Sequence, residues 1–169
     1  ESLAWQEKYP DEVKTLVGLD WALPASYENL NQNQALITVA FWSSKIGLLR
    51  YFPESFYIKN PTLIETERKQ YKLLAYKQLV SQAMLHESQT VKENAKKVPS
   101  NINPKIPTLL LVSNGQGTSF GQSEWQHFSE KFASEQSNVK VIYMDAPHDL
   151  YHYQNHEVVS RIENFLKSN

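Results

Sequence analysis

Two short apolar runs in the last third of the chain, residues 106–112 (IPTLLLV) and 139–144 (VKVIYM), flank a stretch with helical spacing. This alternation narrows the possible folds more than any other feature. Each run has the length and aliphatic content of a buried strand. The stretch between them carries a capping-box pattern, Ser123-Glu-Trp-Gln126, and Trp125, Phe128 and Phe132 continue one apolar face. Asn155 is placed to cap a final helix with Val158, Val159, Ile162, Phe165 and Leu166 as its apolar residues. Strand, helix, strand, helix with short loops implies parallel strands joined by right-handed crossovers.

The N-terminus repeats the theme. Residues 1–9 (ESLAWQEKY) read as a helix with Leu3, Ala4 and Trp5 on its apolar side, broken by Pro10-Asp11. Residues 13–19 (VKTLVGL) read as a buried strand ending at Asp20. Between about Pro24 and Pro104 no convincing strand is found. Ala35, Val39, Trp42, Ile46 and Leu49 fall on one helix face. A capping box, Thr62-Leu-Ile-Glu65, opens a second helical stretch whose buried side would hold Ile64, Tyr71, Leu74, Ala75, Leu79 and Met84. The expected plan is a three-layer αβα parallel-sheet core from residues 1–23 and 105–169, with a helical insertion at 24–104. Three parallel strands leave an edge open and build only part of a core. The pattern therefore predicts an N-terminal half of the fold outside this sequence.

Composition adds exclusions. The formal net charge of -1 gives no electrostatic reason to expect nucleic acid as a partner. The absence of cysteine rules out disulfides and thiol chemistry. No apolar run has the length of a membrane span. The chain opens on Glu1, so an upstream signal or anchor stays open, and with it a cytoplasmic, membrane-anchored or extracellular location.

Ligands of open parallel sheets bind beyond the carboxyl ends of the strands. Three places qualify: Asp20, the loop from Ser113, and the loop from Asp145 to Gln154. The last contains His148, which is either a general base or a surface loop histidine. His152 and His156 lie nearer the final helix and read as packing or solvent residues. A catalytic histidine needs an acceptor to fix its tautomer. The 106–123 segment offers no carboxylate, only Asn114. Asp20 is either that acceptor or the cap of the following turn. Asp145 and Asp149 are the other acids at hand, though their closeness to His148 along the chain disfavours a productive geometry.

These residues, taken in order, resemble the C-terminal part of the α/β-hydrolase fold, from the helix after the nucleophile onward. Residues 1–10 (ESLAWQEKYP) resemble that helix. Residues 11–24 (DEVKTLVGLDWALP) resemble the strand before the cap, the sixth of the fold, and 106–112 and 139–144 resemble the last two strands. Residues 147–166 resemble the histidine loop and terminal helix. The resemblance covers nearly the whole chain and implies a triad in the order nucleophile, acid, histidine, with Asp20 as acid and His148 as base. In many members the acid follows the penultimate strand; here the Gly18-Leu19-Asp20 text points to the strand before the cap. The chain departs from the pattern in having no G-x-S-x-G; Gly117-Thr-Ser119 sits in the wrong place. The resemblance thus places the serine and the oxyanion-hole donors upstream of Glu1. It implies hydrolysis of ester or related acyl bonds in a small-molecule substrate, without metal or organic cofactor. Residues 24–104 would form a cap, with Trp21, Tyr27, Phe41, Trp42, Phe52 and Phe56 available either to wall an acyl pocket or to pack the cap's own core; Trp21, Tyr27 and Trp42 are the candidates for substrate contact. Two other readings share the fold: a binding protein that has lost catalysis, and an aspartate-nucleophile enzyme of the dehalogenase or epoxide-hydrolase kind.

Overall fold

The computed structural model describes residues 1–51, 62–78 and 80–169. Phe52, Phe56 and Leu79 lie outside the described residues, as does the side chain of Leu49. The chain divides into two compact units, one of residues 1–30 and 92–169 and the other of residues 31–91. The second unit falls inside the 24–104 insertion expected from the sequence.

The first unit is a mixed α/β structure around a small, open, parallel sheet. Its elements are α1 (Ser2–Lys8), β1 (Leu16–Leu19), α2 (Pro24–Asn29), β2 (Thr108–Val112), α6 (Gln122–Ser134), β3 (Val139–Tyr143), α7 (Leu150–Tyr153) and α8 (Asn155–Lys167). The strand order is β1-β2-β3, all parallel, with Leu16 opposite Thr108 and Thr108 opposite Val139. β1 and β2 start later than the apolar text because the chain is punctuated there. A 3-10 turn, Pro10–Glu12, precedes β1, and Pro107 has no N–H to give the ladder. Its carbonyl still accepts from Leu16 N–H at 3.0 Å.

β2 is buried along its whole length, and its alternating side chains seed two cores. Leu110 and Val112 join Leu3 of α1, Leu16, Leu23, Ile102, Ile106, and Trp125 and Phe132 of α6 on one face. Leu109 and Leu111 join Met144, Ala146, Leu150 of α7, and Val158 and Phe165 of α8 on the other. Helices therefore cover both faces of the sheet. Gln6, buried in α1, ties the two sequence segments of this unit together: it donates to Asn101 O at 3.1 Å and accepts from Asn103 N–H at 2.9 Å.

Several local expectations are corrected. In α1, Trp5 is 54% exposed and Ala4 is exposed; Leu3 and Gln6, three apart, form the buried side. Trp5 packs instead on Tyr9, ring to ring at 5.0 Å. In α8, Val159 and Leu166 face outward while Val158 and Phe165 are buried, because one narrow stripe meets the sheet. The Ser123 capping box does not form: α6 begins at Gln122 with Gly121 as N-cap. Asn155 is the first residue of α8, not its cap, which is Gln154.

The second unit contains α3 (Gln34–Lys45), a 3-10 turn (Leu48–Tyr51), α4 (Glu65–Gln78) and most of α5 (Gln82–Ala95). Asn33 caps α3, its side chain accepting from Leu36 N–H at 3.1 Å. At α4, the acidic half of a capping box forms two residues later than the sequence suggests: Glu67 accepts from Ile64 N–H at 3.0 Å. The helix face of Val39, Trp42 and Ile46 is exposed, and the buried residues of α3 are Phe41 and Ser44. Apolar residues occupy both stripes, so spacing does not choose between them. A polar tie does: Gln34, on the Phe41 side, donates to Ser88 O of α5 at 2.8 Å. Ile64, Tyr71, Leu74 and Met84 are likewise exposed, and Ala75 is half-buried. α4 is too rich in charge and glutamine for a wide apolar face.

Candidate functional site

The carboxyl ends of the three strands bring together the residues that carry chemistry. Asp20 follows β1 with φ 53, among the described residues the one side-chain-bearing position with positive φ. Its backbone N–H extends the ladder to Leu111 O at 2.7 Å. A left-handed residue at this point turns the chain off the sheet and swings the carboxylate across the tip of β2; aspartate is among the few residues that adopt it readily. Gly18 belongs to the same arrangement. A Cβ there would lie 2.7 Å from both Leu110 and the Trp21 ring.

The carboxylate of Asp20 has no solvent exposure and is fully engaged. Oδ1 accepts the Ser113 N–H at 2.7 Å and the Trp125 indole N–H at 2.8 Å. Oδ2 lies 2.6 Å from His148 Nδ1. Residues 93, 105 and 128 positions away in sequence thus converge on one side chain. Asp145 is engaged elsewhere, accepting from Asn114 Nδ2 at 3.1 Å, and Asp149 acts on His148 through its charge alone.

Two loops hold the imidazole. His148 N–H donates to Gln116 O at 2.8 Å, and Asn114 N–H donates to Ala146 O at 3.0 Å, lacing the loop after β2 to the loop after β3. Gly117, at φ 96, passes close enough that a Cβ would sit 3.5 Å from His148 Cβ. The ring of Trp125 meets His148 edge-on at 5.9 Å. The histidine side chain remains 41% exposed. With an ionised carboxylate at Nδ1, the proton sits on Nδ1 and Nε2 is left as the acceptor.

Electrostatics follow from the contacts. Burial, the largest single influence on Asp20, raises its pKa, but the bonds from His148, Ser113 and Trp125 outweigh it and hold the carboxyl below its ordinary 3.8. The bond to Asp20 raises His148 above its ordinary 6.5 against the opposing effect of partial burial, with the charges of Asp20 and Asp149 adding to it.

The comparisons with known proteins are sparse. No family model and no solved structure matches the chain. Over 177 residues it is 25% identical to the "Uncharacterized protein YbdG" of Bacillus subtilis (strain 168), a match covering 99% of this chain and 54% of that relative. The chain therefore spans about half the length of the relative it matches.

The other sequence candidates are placed as follows. Trp21 is half-buried over Gly18 and packs on the core of the first unit. Tyr27 is half-buried in α2. Trp42 belongs to the second unit, 61% exposed and edge-on to Phe41. His152 is half-buried in α7 and His156 is exposed. From the sequence, Ser113 is expected only as the start of a strand-end loop and Trp125 only as an apolar helix residue; neither is expected to bond Asp20. A buried tryptophan needs an acceptor for its N–H, but the sequence does not say which one. Among the described residues, no group of three His, Asp or Glu is placed to hold a metal ion.

Proposed function

We propose that this chain is the C-terminal part of an α/β-hydrolase-type enzyme, and that Asp20 and His148 are the acid and base of a Ser-His-Asp triad acting on carboxylic esters or related acyl bonds. One observation supports this most: a fully buried, fully bonded carboxylate 2.6 Å from the Nδ1 of a half-exposed histidine, at the carboxyl rim of a parallel sheet. Strand order, triad order and helices on both faces of the sheet agree with the reading.

In this proposal the serine and the oxyanion-hole donors lie N-terminal to Glu1. The greater length of the Bacillus relative leaves room for such a segment. His148 Nε2 takes the serine proton as Oγ attacks the acyl carbon, and the imidazolium rests against Asp20. The same proton then passes to the leaving oxygen as the acyl–oxygen bond breaks. Water repeats the sequence to release the acid. Trp21 offers an apolar surface beside Asp20 in sequence for the acyl group.

The experiment is hydrolysis of a short p-nitrophenyl ester by the full-length protein. His148→Ala is expected to lower kcat by about 10³ or more, leaving the contribution of the oxyanion hole and binding. Unchanged turnover would remove His148 from the mechanism. A glycine or alanine at the nucleophile position would indicate a binding protein, and an aspartate there the dehalogenase or epoxide-hydrolase chemistry.

A further inference from the structure

We propose that Trp125 is a positioning residue that tunes the basicity of His148 through Asp20, a role that rests on the acid–base reading of that pair. Trp125 lies on α6 and is 4% exposed. Its indole N–H is committed to Oδ1 of Asp20 at 2.8 Å. With the Ser113 N–H on the same oxygen, Oδ2 is the oxygen left for His148.

The geometry makes Trp125 a rigid donor. Its ring stacks on Phe120 at 5.8 Å and stands edge-on to His148. Gly115, at φ 80, passes close to the base of this side chain: a Cβ there would be 3.2 Å from Trp125 Cβ. The N–H dipole has its positive end toward Asp20 and offsets part of the negative charge that His148 feels. The charged groups acting on His148 are Asp20 and Asp149, both of which make the imidazole more basic. Trp125 and Ser113 are the donors working against that pull. A general base works best when it is neutral near the operating pH. By drawing down the charge on Asp20, Trp125 keeps His148 from being locked as imidazolium.

The test is an NMR titration of the His148 imidazole in the full chain, parent against Trp125→Phe. Because a core substitution can also disturb folding, the same titration is run with Trp125 replaced by its benzothiophene isostere, which keeps the shape and lacks the N–H. Both are expected to move the His148 titration upward, and the acid limb of the pH–rate profile with it. Phe132→Leu, in the same helix and core, is expected to lower Tm and leave the titration in place. An unmoved or lower His148 titration in the isosteric variant overturns the proposal, whatever happens to Tm. Absence of esterase activity in the parent would instead count against the proposed function, and the titration would still decide the role of Trp125.

Discussion

Replacing Asp20 separates what the carboxylate does for the fold from what it does for the imidazole. Asp20→Ala strips acceptors from the Ser113 N–H and the Trp125 indole N–H, both buried. Each unsatisfied donor costs about 1–3 kcal/mol. The Cβ at φ 53 is common to both residues and cancels. The total, about 2–6 kcal/mol, is a large share of the roughly 5–15 kcal/mol that keeps a domain folded. Asp20→Asn behaves differently. Its carbonyl oxygen still accepts both donors, and asparagine tolerates the left-handed backbone. Exchanging charged for neutral acceptors loses about 1 kcal/mol per bond, partly offset because no charge is buried. The amide nitrogen, however, now faces His148 and donates to Nδ1. The histidine proton moves to Nε2, which can no longer receive one, and kcat should fall by about 10⁴. Urea denaturation measures the first effect and ester hydrolysis by the full-length protein the second. The reasoning is refuted if Asp20→Ala lies within about 1 kcal/mol of the parent, or if Asp20→Asn retains more than about a tenth of parental kcat.

The pH dependence of stability carries two opposite flanks. The contribution of protonated His148 is complete below about 6.5 and is lost as pH rises through its raised pKa; that of ionised Asp20 is present above about 3.8 and is lost as pH falls through its depressed pKa. Urea midpoints should decline on both sides of that window, and Asp20→Asn should flatten both flanks; a parental profile as flat as the variant's would contradict the pairing. Gly18→Ala should cost about 1–3 kcal/mol, since its Cβ meets the Leu110 side chain and the Trp21 ring at 2.7 Å. Thermal melts check this, and an unchanged Tm would show that Trp21 yields freely.

The strands were legible because continuous apolar runs such as LLLV admit few alternatives. The Asp20–His148 pairing spans 128 residues, and the residues alone left each open between two roles; the family resemblance joined them, by placing both at strand ends on one rim of the sheet. Helix faces in the second unit were less legible. α3 has apolar residues on both stripes, and the choice between Val39-Trp42-Ile46 and Phe41-Ser44 falls to the Gln34–Ser88 bond, a contact 54 residues apart. Caps failed for a related reason. Ser123 and Asn155 have the right chemistry, but the β2–α6 loop and the α7–α8 junction fix the helix starts at Gln122 and Asn155, two residues and one residue earlier than caps at those positions require. Trp125 was legible as an apolar helix residue and illegible as a donor to Asp20, since helical periodicity records that a ring is buried and not where its N–H points.

A buried ion pair by itself says little about function, because desolvation consumes most of its attraction. What supports the proposed acid–base role is the asymmetry of the pair. Here the carboxylate is wholly shielded and triply bonded, while the histidine side chain is 41% exposed and meets it through Nδ1. Two interlaced loops, with glycines at φ 80 and 96, hold that imidazole at the rim. Glycine takes up such left-handed turns without steric cost, whereas the aspartate at φ 53 carries strain. The proposed function accounts for that strain: it yields a histidine of fixed tautomer presenting one basic nitrogen outward, as a general base requires.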